Sequence, residues 1–154
     1  MKTYLKRNNK SNKHNHTKKH NHTKKYKYNQ QIIVLTFLQM LNTIKLYHWK
    51  THSYAQHKAT DELYSKLNEN IDTFVEIMLG KHGNRVDLTK YKYNPLFDYN
   101  NLKDFKHKIN EYKQFLINMT KDVNLNLTYN SDLLNVRDEI LGNLNQFEYL
   151  LTFN

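Results

Sequence analysis

Cysteine is absent from all 154 residues. Neither a disulfide framework nor a thiolate metal site is therefore available, and a reducing compartment is compatible. Glycine occurs three times and proline once, too seldom to divide the chain often, so long uninterrupted elements are expected. The most apolar stretch, residues 32–41, is interrupted by Thr36 and Gln39. It is too short and too polar to cross a bilayer, and the first thirty residues hold no apolar core of a secretory leader. These absences predict a chain that stays inside the cell, in the cytoplasm, with no membrane partner.

Acid is missing from residues 1–29, which carry ten Lys or Arg and four His, while residues 30–154 carry fourteen charges of each sign. The whole formal charge of +10 thus belongs to an N-terminal arm. Its centre repeats His14-Asn15-His16-Thr17-Lys18-Lys19 as His20-Asn21-His22-Thr23-Lys24-Lys25. Such a segment has too little apolar surface to offset the entropy of ordering, and its composition predicts disorder. As a polycation it suits nucleic acid, because each cation that neutralises a phosphate releases counterions. Lys10, Lys13, Lys18, Lys19, Lys24, Lys25 and Lys27 are the candidate phosphate contacts, and Tyr26 and Tyr28 add faces for stacking. The competing reading is a tail that only keeps the protein soluble. The alternating histidines are a weak signal for a transition metal.

From residue 30 onward apolar residues recur at helical spacing, which makes the class all-α. One helix is expected over 30–50, with Ile33, Phe37, Leu41, Ile44 and His48 on one face and no acid anywhere in it. A second follows after a short link capped by Thr51 or Ser53, buries Leu63, Leu67, Ile71, Phe74 and Met78, and is expected to stop at Gly80. A third is expected over 102–123 on the stripe Leu102, Phe105, Ile109, Tyr112, Leu116 and Met119. A fourth, over 132–153 with Ser131 as cap, buries Leu133, Val136, Ile140, Leu144, Phe147 and Leu151. Asp138 and Glu139 read as surface charge. Residues 80–99 hold two of the glycines, the proline and a Tyr-Lys-Tyr run, and a loop that long inside one domain needs a reason.

The chemistry-bearing residues gather in residues 44–79. His57, Asp72 and Glu76 fall at about 0°, 60° and 100° on a wheel of 3.6 residues per turn, so the two carboxylates are neighbours one turn apart. His57 and Asp61, at i and i+4, read as a simple helix-surface pair with metal chelation as the alternative. Imidazole and carboxylate together suit a metal that prefers N and O donors.

The run Leu46-Tyr47-His48-Trp49, then His57 ahead of a long helix, then Asp72-x-x-x-Glu76 fifteen residues later, resembles the miniferritins, the starvation-induced DNA-protecting branch of the ferritin superfamily. The chain also resembles an uncharacterised ferritin-like family of large DNA viruses, which would extend the expected location to a virion. The first resemblance implies a ferritin-like four-helix bundle over residues 30–154, with helices two and three parallel and residues 80–99 crossing its length. It implies iron bound between subunits of a homo-oligomer, a dimer or larger, by His48 and His57 of one chain and Asp72 and Glu76 of its mate, with ferroxidase activity on peroxide or dioxygen. Glu-x-x-His, used by the larger ferritins, occurs nowhere in the chain. The interval between His48 and His57 is shorter than the family's, which leaves His52 as an alternative first ligand. The second expectation is a bundle that has kept the fold without the chemistry and works through its arm as a nucleic-acid-binding or virion-packaging protein.

Overall fold

A computed structural model describes residues 28–122 and 129–153, which form four helices and, among the described residues, no strand. They are α1 (Gln30–Lys50), α2 (Tyr54–His82), α3 (Leu102–Met119) and α4 (Ser131–Leu150). The arm is described only from Tyr28 onward, so the seven candidate lysines lie outside the described residues.

α1 begins where Asn29 accepts a hydrogen bond from the Ile32 amide at 2.8 Å, the donor that an N-cap side chain exists to satisfy. Tyr28, grouped by composition with the arm, is part of the core. Its ring meets Phe115 edge-on at 4.9 Å, its hydroxyl donates to the Phe115 carbonyl at 2.9 Å, and its amide donates to the buried Asp122. It is not a free stacking face, and the boundary of the bundle moves back to residue 28.

The apolar stripes close on one another. Phe37, Phe74, Phe105 and Phe147 are almost wholly buried, each contributing about 1.5–3 kcal/mol relative to exposure. α1 packs on α2, α2 on α4 and α4 on α3. α3 returns to α1 through Thr43–Tyr112 and the 3.9 Å stack of Tyr47 on Phe105. Thr43 gives its proton to the Gln39 carbonyl, so Tyr112 must donate to Thr43, and burial raises the Tyr112 phenol above its ordinary range. Contacts between Phe37 and Phe74, and between His48 and His57, show α1 antiparallel to α2. Tyr47–Phe105 and Tyr28–Phe115 show the same for α1 and α3. α2 and α3 therefore run the same way. Residues 83–101 join them and rest on α1, where Gln39 donates to Asn94 at 2.9 Å and Lys50 meets Asp98 and Asn100.

Four boundaries differ from the sequence reading. α2 runs through Gly80 and stops at Gly83, whose φ of 67° is left-handed and whose amide bonds the Leu79 carbonyl. α3 ends at Met119 rather than 123, because Arg137 of α4 is buried and donates to the Leu116 carbonyl and the Thr120 hydroxyl, satisfying the free carbonyl end. Ser131 is the first residue of α4, not its cap, and α4 ends at Leu150. Asp138 and Glu139 are exposed, as expected.

The two glycines predict opposite outcomes in urea denaturation. Gly83→Ala forces a side chain into the left-handed region and lowers stability by about 1 kcal/mol. Gly80→Ala meets no atom within 4 Å of the added Cβ and raises stability by roughly 0.5–1 kcal/mol, the ordinary gain of alanine over glycine inside a helix.

Candidate metal centre

The turn between α1 and α2 is only three residues long, Thr51 to Ser53. Ser53 caps α2 by accepting from the Gln56 amide. Gln56 in turn accepts from the Tyr47 and Thr51 hydroxyls at 2.9 and 2.7 Å. This network folds the start of α2 back along the end of α1 and brings His48 and His57 together.

Their rings stack with centroids 3.9 Å apart and planes 23° from parallel. The hydrogen bonding is reciprocal. His48 Nδ1 lies 3.1 Å from the His57 carbonyl, and His57 Nδ1 lies 3.1 Å from the His48 carbonyl. A carbonyl only accepts, so both Nδ1 atoms carry the proton, and in the neutral imidazole Nε2 is left with its lone pair. The same device orients histidine in known metal sites, where the second ring nitrogen donates to a carbonyl. His48 is buried and His57 exposed. The fully buried Thr60, which sequence reading did not single out, adds a contact to His48 Nδ1 at 3.2 Å. Its spacing of one turn after His57 was the available signal.

Asp61 turns toward α1 and not toward His57 as the i, i+4 pair suggested. Its Oδ1 lies 3.7 Å from Lys45 Nζ and 3.9 Å from His48 Nε2. Lys45 also sits over the Tyr64 and Trp49 rings at 4.7 and 5.9 Å. A carboxylate already balanced by an ammonium is a weaker metal donor than a free one. Asp72 and Glu76 are exposed, and among the described residues neither has an ion pair or hydrogen-bond partner. Like charges at i, i+4 disfavour a helix by about 0.2–0.5 kcal/mol, a cost that a bound cation would reverse.

The structure thus brings His48 to His57, leaves His52 exposed outside the stacked pair, and separates both histidines from Asp72 and Glu76. Fifteen helical residues put His57 about 22 Å from Asp72 of the same chain. Among the described residues no three His, Asp or Glu side chains of one chain gather closely enough to hold a metal ion. Imidazole and carboxylate are donors that suit iron, but in one chain the two histidines lie far from the two carboxylates.

These features define an all-helical bundle with a paired-imidazole corner and a detached carboxylate pair. The chain belongs to a family of unknown function, DUF5856, whose model matches residues 48–151. That span begins at His48 and takes in His57, Asp72 and Glu76. No curated protein and no solved structure matches the chain. Among the described residues no helix is long and apolar enough to cross a membrane.

Proposed function

We propose that this is a ferritin-like iron-binding protein whose site is completed between two copies of the chain. The observation that carries the reading is the reciprocal Nδ1–carbonyl pairing of His48 and His57, which leaves both Nε2 atoms as donors. Residues 83–101 are read as the ferritin-type crossover, since they join parallel helices. A two-fold axis crossing α2 near Ser65 lies midway between His57 and the carboxylate pair. It sets His57 of one protomer opposite Asp72 and Glu76 of the partner subunit. Leu38 and Trp49 of α1 are exposed, seven tenths of the latter's surface being free, and offer apolar material for such an interface.

In this reading Fe(II) is the substrate and peroxide or dioxygen the oxidant. The histidines bind the ion and fix its position, while Asp72 and Glu76 neutralise the charge that oxidation adds. The basic arm supplies sequence-independent contact with nucleic acid. The short His48–His57 interval and the cation at Lys45 favour one second reading, a bundle that keeps this fold without iron and packages nucleic acid through the arm.

Size separation after anaerobic Fe(II) loading of untagged protein distinguishes the two. Iron is expected to travel with the dimer or a larger assembly and to leave the monomer fraction empty. Iron bound to monomer overturns the shared site, and a dimer without iron selects the second reading.

A further inference from the structure

The Tyr-Lys-Tyr run in the long link has no part in the iron reading. Gly83 ends α2, Leu88–Tyr91 form a turn closed by a 2.9 Å bond from the Tyr91 amide to the Leu88 carbonyl, and residues 91–99 adopt no regular structure. The segment is nevertheless tied down beyond the run. Asn94 is held by Gln39, Phe97 lies 3.8 Å beneath the Lys108 ammonium, and Asp98 meets Lys50.

Against that anchored backbone, Lys90, Tyr91, Lys92 and Tyr93 all face solvent. Tyr91 is 47 % and Tyr93 81 % exposed, with Leu96 exposed beyond them. Among the described residues neither ring stacks on another, and neither lysine has a carboxylate partner. The neighbouring acid is occupied. Thr89 donates both its hydroxyl and its amide to Asp87, at 2.7 and 2.9 Å, which holds that carboxyl below its usual range. Two aromatic faces and two free cations thus alternate along four residues. The Cα atoms that carry the two rings are two residues of chain apart, at most about 7 Å.

We propose that Lys90–Tyr93 is a contact site for single-stranded nucleic acid on the folded bundle, distinct from the arm and from the histidine corner. Single strands are held by aromatic rings on which unpaired bases stack, with cations alongside to meet the phosphates. Paired bases in a duplex do not offer their faces, so the tyrosines discriminate where the lysines do not. Stacking releases no counterions, and its share of binding survives salt that weakens an arm acting through charge alone. The site does not depend on the iron reading.

The test uses the full chain and fluorescence anisotropy of a labelled twelve-nucleotide oligothymidylate and a labelled duplex of the same length, each over a salt series. Tyr91→Ser with Tyr93→Ser is expected to weaken single-strand binding by about tenfold or more, at low and high salt alike, and to change duplex affinity by less than about twofold. Tyr91→Phe with Tyr93→Phe keeps the ring faces and is expected to retain single-strand binding. Lys90→Gln with Lys92→Gln is expected to weaken both probes and to flatten the single-strand salt slope by about 1.4 log units per log unit of salt. The residues lie on an exposed link, and circular dichroism checks that the helices are intact. Unchanged single-strand affinity in the serine variant, equal loss on both probes, or failure of the phenylalanine variant overturns the proposal.

Discussion

Replacing Asp72 by Asn and Glu76 by Gln together is expected to abolish iron-dependent peroxide consumption and to leave helicity intact. Both side chains are exposed and among the described residues unpartnered, so the amides remove charge without disturbing packing, and relief of the like-charge pair slightly favours α2. His57→Ala is expected to give the same loss from the other half of the site. The decisive result comes from mixing the two variants under conditions where subunits exchange. In a two-fold dimer each site takes its imidazoles from one chain and its carboxylates from the other. A mixed dimer then holds one intact site and one that lacks both halves. With half the dimers mixed, activity recovers to about a quarter of that of the unaltered protein. Two inactive variants that stay inactive on mixing, despite shown exchange, place the site within one chain. Unaltered turnover in the Asp72, Glu76 variant removes these residues from the chemistry.

Removing residues 1–27 is expected to remove most of the duplex DNA binding while the bundle remains folded. The cut is placed before Tyr28 because that residue is buried against Phe115 and Asp122, and Asn29 caps α1. A deletion two residues longer would confuse lost contact with lost stability. All ten cations of the arm lie within residues 1–27. Each duplex phosphate neutralised contributes about 0.9 to the slope of log affinity against log salt, so engagement of half of them gives the intact chain a slope of about −4 to −5. Acidification adds charge at His14, His16, His20 and His22 and tightens binding, an effect the truncated chain loses. Filter binding across a salt series measures both. A truncated protein that binds duplex as tightly, with the same slope, shows that the arm only solubilises and that the contact lies on the helices.

The helices themselves were legible because helix formation leaves a local signature. Ile33, Phe37 and Ile44 recur at helical spacing and are buried together, and the limits of α1 are those the pattern implied. The same holds for the inner stripes of α3 and α4, apart from Leu102 and Val136, which are only partly buried. The ends were less legible. Gly80 and Gly83 are the same residue to a sequence reader. Only the backbone shows that the second adopts φ 67° while the first continues the helix. Arg137 was not singled out by any spacing, yet it is buried where α4 meets the end of α3 and donates to the Leu116 carbonyl.

The sequence by itself determined the all-α class, the neutral bundle behind a cationic arm, the absence of thiol chemistry and the adjacency of Asp72 to Glu76, since each follows from composition or from spacing along one helix. Tertiary structure alone decided which groups meet across helices. It turned Asp61 toward Lys45, drew Tyr28 into the core, and stacked His48 on His57 with each Nδ1 on the other's carbonyl. The physical reason is that a helix period is fixed by hydrogen bonds four residues apart, whereas a tautomer is fixed by whatever acceptor a neighbouring helix presents. That acceptor is set by how a three-residue turn brings α2 back along α1.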